Sequence, residues 1–154
     1  MACRQKWAVI AMAVWTQVLV GVDGSEGSQR ALQWAAEEAR QHEAELHVLS
    51  TWSSPAPAVG LGYIAMFTES SNLQELTRQL QDDAVRAALG DQPGLVIKQD
   101  VVEGHPAQRL TEASAEADLV VVGSRGHGGF VGMLLGSVSQ HVAAHAQCPV
   151  IIIR

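Results

Sequence analysis

Cysteine is nearly absent. Cys3 and Cys148 are the only two in 154 residues, which excludes a disulfide framework and suits a reducing compartment. Basic residues are outnumbered, ten Lys and Arg against sixteen Asp and Glu, and the formal net charge is −6. Nonspecific nucleic-acid binding needs a basic face, so this balance argues against it. It does not forbid a nucleotide, because backbone amides and a metal can offset phosphate charge locally. The lysine-bearing signature G-x-x-x-x-G-K-[ST] is missing, and the turn Gly21-Val22-Asp23-Gly24-Ser25 is not G-x-G-x-x-G. No nucleophile–base–orienter set stands out either. Ser124, Ser137 and Ser139 have no evident paired base, and Arg125 is a single cation where phosphoryl transfer wants several.

What is present is apolar: 47% hydrophobic and 17% charged residues describe a globular chain, long enough for one domain with a substantial core. Residues 1–15 read differently from the rest. MACRQK is basic, Trp7–Trp15 is apolar for nine residues, and Ala11-Met12-Ala13 has the outline of a secretory cleavage site. Nine residues are too few to span a bilayer as a helix. An extension or an extra packed segment is the favoured reading of this start, and no membrane partner is expected.

The stretch Asp118–Ser139, DLVVVGSRGHGGFVGMLLGSVS, organises the chain. Leu119–Val122 reads as a buried strand ending at Gly123. A loop rich in glycine follows, with Gly126, Gly128, Gly129, Gly132 and Gly136. Ser137 then opens a helix, with Gln140 three residues on as in a capping box. Strand, glycine loop and helix N-terminus make an anion site. Glycines admit close approach of the backbone, and the amides and dipole of the helix favour negative charge. Ser124, Ser137 and Ser139 add hydroxyl donors. A phosphate is the expected ligand.

The other elements alternate. Strands are expected at Val18–Val22, Leu46–Trp52, Leu95–Val102 and Pro149–Ile153. Helices are expected over Ser28–Gln41, from a Ser71–Gln74 capping box to Leu89, from Pro106 to Ala117, and from Ser137 to about His145. Leu73, Leu76, Leu80, Ala84 and Ala87 follow the spacing of a core stripe in the second helix. This pattern predicts an α/β fold, one doubly wound parallel sheet of five strands with helices on both faces. In such sheets ligands bind at the carboxyl edge of the strands, where Asp23 ends the first. Asp23 could hold ribose, base or a water-bound Mg²⁺, or simply make the turn. Trp52 is read as core or as a base-stacking ring. The long connection over residues 53–70 has the length of a lid or binding segment. His141, His145 and Cys148 mimic metal-ligand spacing, yet a histidine there also suits the helix dipole, and no metal site is assigned. His127 could contact phosphate when protonated.

The spacing Gly123-x-x-Gly126, nine residues, then Gly136-Ser137 resembles the nucleotide motif of the universal stress protein family. Val18–Ser25, Glu103–Pro106, Asp118–Gly126 and Cys148–Ile153 fit the same family in chain order, so the resemblance covers residues 16–154. It implies strand order 3-2-1-4-5, with the first and fourth strands adjacent. It also implies a cytoplasmic ATP-binding module of the stress response, with Mg²⁺, acting through conformation or partners. The implied nucleotide set is Val22, Asp23, Thr51, Gly123, Arg125, Gly126, Gly136, Ser137, Val138 and Ser139. Thr51 would meet the adenine edge through its backbone. Dimers paired through Val150–Ile153 are implied too. A slow ATPase or phosphotransferase, and a scaffold that binds no nucleotide, are the alternatives.

Overall fold

Val, Ile and Leu concentrate in short stretches, and these become the strands of a computed structural model that describes residues 15–53, 70–91, 94–127 and 134–154. The elements are β1 (Gln17–Gly21), α1 (Glu26–Gln41), β2 (Glu45–Trp52), α2 (Ser70–Leu89), β3 (Ile97–Glu103), α3 (Pro106–Ala113), β4 (Leu119–Gly123), α4 (Ser137–His145) and β5 (Val150–Ile153). They form a five-stranded sheet in the order β3-β2-β1-β4-β5, every pair parallel. This is the architecture and the strand order expected from the sequence. The expectations for residues 1–14, for the 54–69 connection and for Gly128, Gly129 and Gly132 lie outside the described residues.

Side chains alternate across each strand, and the sheet is buried on both faces. Val18, Val20, Leu46, Val48, Leu119 and Val121 pack with Leu32, Ala35 and Ala39 of α1 and Ala84 of α2. Leu19, Leu49, Val120 and Val122 pack the other way, with Leu110 of α3 and Val142 of α4. In β5, Ile151 and Ile153 join the first cluster while Val150 and Ile152 join the second. The small residues of α1 let it sit close over β1 and β4.

β1 and β4 pair directly, Val18 with Leu119 and Val20 with Val121. From that pair the chain winds outward in both directions, so the loops after β1 and β4 part above a crevice. Asp118 fastens the opposite end of the pair. Its Oδ2 accepts from the Thr16 amide at 2.7 Å, the Thr16 hydroxyl at 2.9 Å and the Gln17 amide at 3.1 Å.

Several expectations change. α3 stops at Ala113 rather than Ala117, and β1 spans Gln17–Gly21 rather than Val18–Val22. α1 begins two residues before Ser28, because Ser25 caps it and accepts from the Ser28 amide. β3 begins at Ile97 rather than Leu95 and runs one residue further, to Glu103. The face of α2 is rotated: Leu76 and Leu80 are 52% and 56% exposed, whereas Gln81 is 2% exposed. The amide explains the rotation. Its Nε2 lies within hydrogen-bond reach of the carbonyl oxygens of Val48 and Asp100 and of the Ser50 hydroxyl, at 3.0–3.2 Å, while its Oε1 is buried with no partner among the described residues. Asp82 adds a bond from Gln99 of β3 at 2.6 Å. The expected Ser71 cap involves a side chain outside the described set.

Candidate nucleotide site

A cleft of about 440 Å³ opens at the carboxyl edge of the sheet, between the turns after β1 and β4 and the starts of α3 and α4. Val22, Asp23, Thr51, Gly123, Arg125, Gly126, Gly136, Ser137, Val138 and Ser139 all line it, so the topology brings the whole nominated set to one place. Leu49, Leu110 and Val122 give it an apolar floor.

The turn after β1 is built by its own side chains. Asp23 Oδ1 accepts from the Ser25 amide at 2.9 Å and the Ser25 hydroxyl at 2.5 Å, while Gly24 takes a φ of +83° that favours glycine. The Ser28 hydroxyl donates to the Ser25 carbonyl at 2.9 Å. Asp23 therefore makes the turn with one carboxylate oxygen and keeps the other toward the loop after β4. Burial alone would raise its pKa. The Ser25 hydroxyl and amide, the Ser28 hydroxyl and the nearby His127 outweigh burial and hold it below the usual carboxylate value. His127 has a defined place: its Nε2 is 3.0 Å from the Asp23 carbonyl oxygen.

Two glycines lock α1 against the loop. A β-carbon on Gly123 would stand 2.7 Å from the Gly27 carbonyl carbon, and one on Gly27 would stand 2.7 Å from the Arg125 carbonyl oxygen. Gly123 thus supports the loop from behind as well as lining the cleft. Gly27 and Ser28 were not among the residues nominated from sequence; a GS pair after an Asp-Gly turn gives no periodic signal. Gly104 and Pro106, also in the lining, belong to the Glu103–Pro106 turn, whose position at the same sheet edge only the topology reveals.

The start of α4 departs from the expected capping box. Gly136 is the N-cap, with no side-chain cap bond. Gln140 donates instead to the Leu135 carbonyl at 3.0 Å. Ser139 is buried, and its hydroxyl lies 3.0 Å from the Ser124 carbonyl and 2.9 Å from the Gly136 carbonyl. With the Gly136 amide donating to Ser124 O at 2.7 Å, these bonds pin the helix start to the end of β4. Among the described residues the first amides of α4 have no side-chain partner, which suits an incoming anion better than a capping box would.

Trp52 also lines the cleft; its indole nitrogen is buried and has no hydrogen-bond partner among the described residues. For a metal the case differs. Among the described residues no group of three His, Cys, Asp or Glu side chains is placed to hold one, and Asp23 is the sole carboxylate among the described lining residues. A Mg²⁺ here would be carried mainly by phosphate oxygens. His141 and His145 stack on each other, centroids 4.3 Å apart, and His145 Nδ1 meets the His141 carbonyl at 2.9 Å.

Fold and cleft define a doubly wound α/β domain with a glycine-lined cleft at its switch point. Residues 15–154 match the model of the universal stress protein family. A universal stress protein of Mycobacterium tuberculosis is 42% identical over 137 residues, 89% of this chain and 44% of that protein. One from Mycolicibacterium smegmatis is 38% identical over 138 residues, 89% of this chain and 45% of its own length. The chain therefore spans less than half the length of these relatives. Among solved structures, universal stress protein UspA from Lactobacillus plantarum superposes with a TM-score of 0.75 at 26% identity, covering 92% of this chain and 99% of that one. A universal stress protein in complex with cAMP gives 0.63 at 30% identity, covering 92% and 98%. The chain belongs to the universal stress protein family. No helix of the described residues is long and apolar enough to cross a membrane.

Proposed function

We propose that the chain binds an adenine nucleotide, ATP with Mg²⁺, in the cleft between β1 and β4, and acts in the stress response through nucleotide-dependent conformation or partner binding. The observation that carries the reading is the uncapped start of α4 beside Gly126 and the Asp23 turn. Phosphates would take the amides of Gly126, Gly136 and Ser137, with Arg125 near them. Asp23 would orient the ribose, and the base would lie on Val22, Val138 and Leu49 with Thr51 at its edge. The cAMP complex of the 30% identical relative supports the adenine preference. A cytoplasmic setting agrees with the scarcity of cysteine.

The assembly proposed is a homodimer through β5. The Val120 amide donates to Pro149 O and the Ser124 amide to Ile153 O, so residues 149, 151 and 153 turn their polar groups toward β4. Val150 and Ile152 then present theirs outward, on an open edge with no lysine or proline in the strand. Two such edges can pair about a two-fold axis.

Calorimetry with ATP, AMP, cAMP and GTP on the purified protein tests the binding reading, beside acid extraction of any nucleotide that copurifies. Adenine nucleotides should bind more tightly than GTP. No adenine nucleotide bound at high micromolar concentration, and none extracted, would refute it.

A further inference from the structure

A second cleft, of about 510 Å³, lies between the start of α1 and the end of β5, across the Gly123–Gly126 loop from the first. Arg30, Arg125 and Arg154 line it, with Glu26 the one acidic side chain in the lining. Among the lining side chains three are basic and one is acidic, on a chain whose net charge is −6. Elsewhere the cations are mostly spoken for: Arg40 by Glu37, Arg86 by Asp83, Lys98 by Asp100 and Arg109 by Glu112. In the cleft only Arg30 has an acidic partner among the described residues, Glu26. Glu26 is an 87% exposed side chain at the rim, and an exposed pair of this kind is weak and exchangeable.

We propose that this cleft is a second anion site that takes a phosphate oxyanion. Guanidinium groups present paired N–H donors in a plane that matches two phosphate oxygens, and the three arginines lining this cleft come from α1, the loop after β4 and the end of β5. The amides of Glu26 and Gly27 add to them. The first bonded amide of α1 is that of Ser28, on Ser25 Oγ, followed by Gln29 on Ser25 O, so the two ahead of it are helix-start donors. The phosphate has two possible sources. Arg125 and Gly126 line both clefts, so the terminal phosphates of a nucleotide in the first could cross Gly126 into the second. That source rests on the nucleotide reading above. Free phosphate or pyrophosphate is the other, and does not depend on it.

Calorimetric titrations with AMP, ATP and pyrophosphate, on the parent protein and on Arg30→Gln, Arg154→Gln and Glu26→Gln, test the site. All three side chains are exposed, and unchanged melting would show that the variants fold. Each arginine variant should weaken ATP or pyrophosphate at least fivefold, and Glu26→Gln should tighten the same probe, an opposite sign that general destabilisation does not produce. Weakened ATP with unchanged AMP identifies the nucleotide's own phosphates as the occupant. Pyrophosphate that binds beside saturating AMP, and loses affinity in the arginine variants, identifies the free anion. Arginine-dependent pyrophosphate binding in a protein that binds no nucleotide would keep this site and remove the nucleotide reading. ATP and pyrophosphate affinities equal to the parent's in both arginine variants, or absent throughout, would overturn the proposal.

Discussion

Gly126 faces the carboxylate of Asp23 so closely that a β-carbon on it would stand 2.3 Å from Oδ2. The two residues belong to different loops, after β4 and after β1, and their approach narrows the cleft where phosphate would meet ribose. At Gly136 the nearest atom to an added β-carbon is Ser124 O at 3.5 Å, an ordinary contact. Gly126→Val should therefore displace Asp23 and weaken ATP binding tenfold or more, at least about 1.4 kcal/mol. Gly136→Val should weaken ATP through its side chain in the cleft while leaving the melting temperature near that of the parent. Parent-like ATP affinity in both, measured by calorimetry, would remove these glycines from the site.

Turnover should be slow. The described lining offers Asp23, half-committed to Ser25, and one arginine, Arg125. We expect ATP hydrolysis no faster than about one event per minute, far below ordinary enzymes. Phosphate release near one per second, abolished by Asp23→Asn, would instead make the chain an ATPase.

Ile152→Pro should shift the protein toward monomer in sedimentation, because it removes an outward donor of β5 and leaves the bonds from the Val120 and Ser124 amides to Pro149 and Ile153 in place. A parent protein that sediments as a monomer at tens of micromolar would defeat the β5 dimer without touching the nucleotide site, whose residues come from one chain.

Acid should loosen the β1–β4 pair. Burial would raise the pKa of Asp118, but the Thr16 amide and hydroxyl and the Gln17 amide outweigh it and bring the folded value below the unfolded one of about 3.9. Its stabilising contribution is thus complete above the unfolded value and is lost as pH falls through the folded one. The urea midpoint should fall more between about pH 6 and pH 3 in the parent than in Asp118→Asn. Equal falls would show that Asp118 contributes nothing to acid stability.

Gln81→Leu should destabilise the fold by about 1–3 kcal/mol, since it strips a buried donor from the Ser50 hydroxyl and from the carbonyls of Val48 and Asp100. Ser50 donates in turn to Val22 O at 2.7 Å, so the effect should reach Val22 in the cleft lining. A urea midpoint equal to the parent's would show the amide to be dispensable.

Much of this was legible in the residues themselves. Runs of branched side chains such as Leu119–Val122 suit a strand buried on both faces whatever surrounds them, and the alternation of strands with helices allows few topologies. The glycine spacing from Gly123 to Ser137 picked out residues that line the cleft, since glycine admits close approach of the backbone. What the sequence left open depended on distant partners. The inward face of α2 follows the carbonyls and hydroxyl that Gln81 finds on β2 and β3, so a leucine stripe alone misplaced it. Gln140 could have closed a capping box, yet it reaches Leu135, and Gly136 takes the cap because its amide is drawn to Ser124 O. Gly27 matters only because α1 presses on the loop after β4, nearly a hundred residues later in the chain. The shared lining by Arg30, Arg125 and Arg154 has the same origin: no local pattern links them, and the fold alone brings these three residues to one cleft.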